Sequence, residues 1–199
     1  MNKVLVLYTS PLPEEKSIST YIANKFLEEY KKTNPNDFIE TLDLNNLSMA
    51  NKSLNKDSFS SFWNEEDSDK FINQLKNINK LIISTAMINF NIPVTLKNYL
   101  DHICVANKTF SYKYSKKGDA IGLLTNVKVQ IIATQGAPED WYTWGLFTKY
   151  LEGTLNFLGM SVNKTILISG VKTSNYIQKT KEEIFEEFKN TIENQAKKF

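Results

Sequence analysis

Residues 80–103, KLIISTAMINFNIPVTLKNYLDHI, constrain the fold more than any other stretch of this chain. Leu81–Ile83 is a short, β-branched apolar run of the kind buried in a parallel sheet. It ends abruptly in Met87-Ile88-Asn89-Phe90, and Pro93 then opens an amphipathic helix, where its missing N–H is not needed. In open α/β sheets the carboxyl ends of the strands are where ligands bind. Two readings of the Met-Ile-Asn-Phe segment follow. A flat apolar ligand lies on Met87 and Phe90, with Asn89 and loop N–H groups on its polar edge. Alternatively, Met87 and Phe90 only cap the core.

The same unit recurs along the sequence. Lys3–Tyr8 reads as a buried strand, and Ile18, Tyr21, Ile22, Phe26 and Tyr30 recur at helical spacing over about 17–32. Residues 38–44 alternate as a strand nearer an edge. Residues 46–79 read as two helices, the second with acidic first-turn residues after Asn64. A helix follows from Pro93 to about 106. Residues 108–125 break the pattern: Phe110, Tyr112 and Tyr114 alternate, Lys117-Gly118-Asp119 turns, and a hairpin-like arm results. Val127–Thr134 is a fourth strand, 139–158 one long aromatic helix and Val162–Ser169 a fifth strand. A closing helix over about 177–198 turns Ile177, Ile184, Phe185, Phe188 and Ile192 toward the sheet. Five strands alternating with helices predict a doubly wound α/β sandwich with right-handed crossovers in one domain spanning 1–199.

Composition narrows the function. With 24 basic and 22 acidic residues the charge is nearly balanced, and no basic block marks a nucleic-acid partner. All the basic residues are Lys. Without Arg there is no bidentate guanidinium fork, so a phosphate must be held by hydroxyls, backbone N–H groups and Lys. One Cys and one His exclude an intramolecular disulfide and a multi-ligand Cys or His metal site. The first strand starts at Lys3, and no apolar run reaches membrane-spanning length. A soluble, cytoplasmic protein without a membrane partner is expected.

The loop after the first strand carries Thr9 and Ser10, and Ser17-Ile18-Ser19 opens the following helix. A helix N-terminus presents unsatisfied N–H groups and partial positive charge, and hydroxyls add donors for the same dianion. The loop contains no Gly and matches neither GxGxxG nor GxxxxGK[ST], so a single terminal phosphate fits better than a pyrophosphate or triphosphate. The plainer alternative is that Ser17 only caps the helix.

Three features in order carry a family resemblance: this hydroxyl loop, Met87-Ile88-Asn89-Phe90, and Thr134-Gln135-Gly136-Ala137 after the fourth strand. With VLVLY at the start, NIPVTLKNYLD at 91–101, TFSY at 109–112 and the segment ending at Gly159, the chain resembles the FMN-dependent NADH azoreductase and NADH:quinone oxidoreductase family of flavodoxin-like fold. The resemblance covers essentially the whole chain and is most specific over 87–112. It implies bound FMN, NADH as donor, and quinone or aromatic azo substrates reduced by ping-pong hydride transfer. FMN phosphate contacts fall on Thr9 or Ser10 and on Ser17, Ile18 and Ser19. Ring contacts fall on Met87, Ile88, Asn89 and Phe90 and on Thr134, Gln135, Gly136 and Ala137. A homodimer is implied, with Tyr112 and Phe157 near the roof that the partner supplies. No catalytic side chain and no metal are implied, because the flavin carries the chemistry. Four residues depart from the pattern: Ile88 stands at a usual Tyr, Thr134 at Ser, Gln135 at Arg, and Ala137 at a Gly, where positive φ is less tolerated.

Two competing readings remain. An acyl-carrier-protein phosphodiesterase-type hydrolase would need His102, the sole His, and the chain has no G-x-S-x-G elbow. His102 is expected to face solvent or a partner, and Cys104 to be a buried small hydrophobe. The other reading is a flavodoxin-like electron carrier without turnover. Trp141, Tyr142, Trp144, Phe147 and Tyr150 are too crowded for one buried stripe, so some should face a partner or a pocket. The absence of Arg disfavours NADPH, whose extra phosphate Arg accommodates.

Overall fold

A computed structural model describes residues 1–113 and 120–199. The expected Tyr114 alternation and the Lys117-Gly118-Asp119 turn lie outside the described residues. In chain order the elements are β1 (Lys3–Tyr8), α1 (Ile18–Thr33), β2 (Phe38–Asp43), α2 (Lys70–Lys76), β3 (Lys80–Ala86), α3 (Val94–Ile103) and β4 (Phe110–Ser111). Then come β5 (Ile121–Gly122), β6 (Lys128–Thr134), α4 (Phe147–Phe157), β7 (Ser161–Val162), β8 (Ile166–Ile168) and α5 (Lys181–Lys198). The main sheet is parallel, in the order β2-β1-β3-β6-β7, with β8 also on β6. The short antiparallel β4–β5 pair is the expected arm. This is the flavodoxin-like order, with its switch point between β1 and β3.

Period-two alternation divides the core between two faces. Leu5, Leu7, Leu81, Ile83, Val129 and Ile131 pack with α2, α3 and α4. Val4, Val6, Ile82, Ile132 and Ile168 pack with α1 and α5. Helices cover both faces, which explains why the central strands are nearly continuous apolar runs.

Four elements differ from the sequence expectations. The fifth strand is split: Lys128 pairs with Ser161 but Ile132 with Ile166, so one extra residue sits between β7 and β8. The buried Gln130 amide reaches across and donates to Lys164 O at 3.1 Å, and an edge bulge of this kind blunts further pairing. The aromatic segment is helical only from Phe147, because Pro138 and Gly145 hold residues 138–146 in turns. In the region of 46–79, short 3₁₀ turns and a π-helical turn at Glu65–Asp69, capped by Asn64 and carrying the expected acidic first-turn residues, lead into a helix of 7 residues. The closing helix starts at Lys181, where Thr180 and Glu183 form a reciprocal capping box. Ile177 therefore lies before the helix and is 65% exposed instead of facing the sheet.

Candidate functional site

The parallel ladder extends past the strand ends and fixes the loops around the switch point. Thr9 donates twice to Ser84 O, from N at 3.0 Å and from Oγ1 at 2.9 Å. Its hydroxyl proton is thus spent in tying the first loop to β3. Asn45 Nδ2 donates to Ser10 O at 2.8 Å and secures the loop from the other side. Ser17 is the N-cap of α1: its Oγ accepts from Thr20 N at 3.2 Å and from Thr20 Oγ1 at 2.8 Å, and lies 3.3 Å from Ser19 Oγ. The first-turn N–H groups of this 16-residue helix have no intrahelical acceptors, so the end carries partial positive charge. Ser17→Ala is expected to lower stability by about 1 kcal/mol through loss of the cap, read as a lower denaturation midpoint at unchanged m.

After β3 the backbone reverses tightly. Ile88 and Asn91 exchange N–H···O bonds of 2.8 and 3.0 Å, with Asn89 and Phe90 at φ 46° and 69°. This is a two-residue turn with both central residues left-handed, easy for Asn and strained for Phe, at about 1 kcal/mol. The strain is offset by contacts: Phe90 packs on Trp144 at 4.5 Å and Tyr142 at 5.3 Å between centroids. It also fills the space beside Gly145, where a Cβ would meet its ring at 3.1 Å. Ala137, by contrast, is not among the residues with positive φ, so replacing Gly there imposes no backbone strain.

After β6, Gln135 N donates to Ile168 O at 3.0 Å and its side-chain amide folds back onto Ala137 O at 3.0 Å. The loop after β8 runs alongside, with Lys172 N donating to Gly136 O at 2.9 Å.

These loops enclose a cavity of about 270 Å³. It gathers Ser10, Ser17, Ile18 and Ser19 from the first loop, Met87 and Ile88 from the second, and Thr134, Gln135 and Gly136 from the third. Thr9, Asn89, Phe90 and Ala137 are not among its lining residues, and Phe90 packs on Tyr142 and Trp144 of the aromatic segment instead. Tyr112 and Phe157 lie elsewhere, both against Phe110 of the arm, at 5.5 and 4.7 Å. Sequence reasoning missed Pro11, Leu12, Lys16, Ala86, Val171 and Lys172 in the lining. Among the described residues, Lys16 and Lys172 are its only charged ones, and no carboxylate lines it. Hydroxyls, a helix end and two cations against an apolar strip suit a phosphorylated ligand with a flat apolar portion. A second cavity of about 290 Å³, between α4 and the split strand, is lined by charges of both signs, with Lys149 and Thr165 both donating to Glu152.

Comparison with known proteins agrees with this geometry. The family profile described as "Flavodoxin-like fold" matches residues 2–196. The chain is 54% identical, over all 199 residues and the whole of the relative, to the FMN-dependent NADH:quinone oxidoreductase of Metamycoplasma arthritidis. It belongs to that flavodoxin-like reductase family. Over its full length it is also 50% identical to the enzyme of the same name from Malacoplasma penetrans, covering 94% of that relative. Among solved structures, an azoreductase from Bacillus anthracis str. Sterne superposes with a TM-score of 0.82 at 25% identity, each chain covered completely. An FMN-dependent NADH-azoreductase from Bacillus anthracis str. Ames Ancestor, in complex with FMN, gives 0.79 at 25% identity, with 99% of each chain covered.

In this reductase-family chain, the residues a hydrolase would need are out of reach. His102 is completely buried, contrary to the expected solvent or partner exposure, because residues 47–69 cover the outer face of α3. Its ring stacks on Phe62 at 3.8 Å, and Nδ1 lies 3.3 Å from the equally buried Ser68 Oγ. Burial pushes the Cys104 thiol up to about 11, so it stays protonated and packs against the core.

Proposed function

We propose that the protein is an FMN-dependent NADH:quinone oxidoreductase that also reductively cleaves aromatic azo compounds. The observation that carries this is the cavity at the β1/β3 switch point, polar and cationic at the α1 end, apolar along Met87 and Ile88, and without a carboxylate among the described residues that line it. When bound, FMN supplies hydride transfer between NADH and an acceptor that uses the same slot in turn. The chain's own residues bind and orient. Ser10, Ser17 and Ser19 hydroxyls, the α1 N-terminus and Lys16 hold the phosphate. Met87, Ile88 and the backbone of Thr134–Gly136 support the ring, and preorganised N–H groups there favour developing negative charge. Asn89 and Phe90 act through the turn that presents this support.

The active form in this reading is a homodimer. Trp144 is 72% and Trp141 61% exposed, and with Tyr142 they make an exposed aromatic ridge on Phe90, apolar surface of the kind that marks a protein–protein contact. Tyr112, 65% exposed beside Phe110 of the arm, is a second aromatic side chain open to a partner. No helix among the described residues is long and apolar enough to cross a membrane, which agrees with a single cytoplasmic domain.

The purified protein is expected to be yellow, to bleach anaerobically with NADH and to recover colour with a benzoquinone. A colourless protein that cannot be reconstituted with FMN would sink the proposal. Flavin bleached by a protein donor but not by NADH would favour the electron carrier. Asn89→Ala and Phe90→Ala should each weaken FMN retention by about tenfold while changing stability by about 1 kcal/mol, checked by the flavin-to-protein absorbance ratio after gel filtration. Mutants as yellow as wild type would exclude any role for the turn.

A further inference from the structure

Lys16 and Lys172 enter the cavity from opposite ends of a row. The loops after β1, β3, β6 and β8 line it in the strand order of the sheet, with Lys16 on the first and Lys172 on the last. Three strand spacings separate those loops, roughly 14 Å, so the two side chains are rooted at opposite ends of the cavity lining. Neither lysine makes an ion pair or a side-chain hydrogen bond among the described residues. Lys16 immediately precedes the N-cap Ser17, where hydroxyls and the helix end already select an anion. Lys172 has no such company. Its stem lies across Gly136, where an added Cβ would meet Lys172 Cδ at 3.0 Å, and its backbone is pinned to Gly136 O. Gln135, the one side-chain amide of the third loop, has turned back onto Ala137 O. The positive charge at this end of the cavity therefore comes from Lys172.

Resting on the FMN reading above, we propose that Lys172 sets the reduction potential of the bound flavin. A hydride carries two electrons and one proton from NADH, which leaves as NAD⁺, and the flavin gains one negative charge. A cation over the third loop binds that charged form more tightly than the neutral oxidised form. By linkage, the ratio of the two affinities is the shift in potential. Lys16, at the phosphate end, contributes equally to both forms and leaves the potential unchanged.

The test uses apoprotein reconstituted with FMN, with Kd from flavin fluorescence and midpoint potential from equilibration with a reference dye. Lys172→Gln should bind oxidised FMN within about twofold of wild type and reduced FMN about tenfold more weakly, a midpoint lowered by about 30 mV for a two-electron couple. Lys172→Arg should keep the wild-type potential. Lys16→Gln should weaken both forms alike. A Lys172→Gln protein at the wild-type potential would overturn the inference, as would equal weakening of both forms or a changed KM for NADH alone. A wild-type protein that takes up no FMN would instead overturn the functional reading itself.

Discussion

Gly122→Ala should lower stability by about 3 kcal/mol, seen as a melting temperature about 6–12 °C below wild type. A Cβ at Gly122 would stand 2.1 Å from Gly159 N and 2.3 Å from Leu158 C, both backbone atoms at the end of α4. Backbone cannot swing aside as a side chain can, and Gly159 is already committed to φ 93°. The adjacent Leu124 N to Leu158 O bond, 2.9 Å, ties the same two segments. The substitution must therefore break the seam by which the β4–β5 arm lies on α4 and separate Phe110 from Phe157. Gly153→Ala, in the middle of the same helix, is the control. A Cβ there meets nothing within 4 Å, so helix propensity alone acts and stability should rise by about 0.5–1 kcal/mol. A Gly122→Ala protein that melts with wild type would show that the arm does not sit against α4.

Much of this architecture is written locally. The alternation Val4, Leu5, Val6, Leu7 assigns residues to both faces of a covered sheet, and the same pattern at Leu81–Ile83 and Val129–Ile132 places the central strands. Ser17 and Asn64 announce their caps. The start of α5 was equally legible in Thr180-x-x-Glu183, a capping signature that outweighs the apolar Ile177 before it. What escaped depends on pairing between distant segments. Lys172 reaches the third loop only because β8 ladders onto β6, and a lone Lys in a loop has no period to betray it. The β7–β8 bulge is a difference of one in register, invisible until both ends are paired. The burial of His102 was missed for a related reason. Leu96, Tyr99, Leu100 and Ile103 already account for the sheet-facing stripe of α3, and only an irregular second layer, residues 47–69, buries the face opposite.

That second layer makes the protein sensitive to mild acid. His102 is held neutral: burial lowers its pKa, and Lys52 adds to the lowering, while Asp67 and the carbonyls of Met49 and Phe62 offset part of it. In the unfolded chain the imidazole titrates near its ordinary value of about 6.5. Between the two values the unfolded state binds more protons, so stability is full above the unfolded pKa and falls as pH drops toward the folded one. The slope cannot exceed about 1.4 kcal/mol per pH unit for one group. About 1 kcal/mol should be lost between pH 7.5 and 5.5, a fall of about 2–4 °C in melting temperature. Asp37 acts in a separate window: despite the opposing effect of burial, hydrogen bonds from Tyr30 and Asn2 hold its carboxyl down to about 2, so its contribution is lost only at much lower pH. His102→Phe keeps an aromatic ring against Phe62 and cannot titrate, so its melting temperature should be flat over pH 7.5–5.5, apart from about 1 kcal/mol lost at every pH for the unpartnered Ser68 hydroxyl. A variant as acid-sensitive as wild type would place the titrating group elsewhere. Because α3 begins at Val94, with its N-cap Pro93 only three residues beyond Phe90 of the Met-Ile-Asn-Phe segment, loosening its outer face should also release FMN in the same pH window, and His102→Phe should abolish that release.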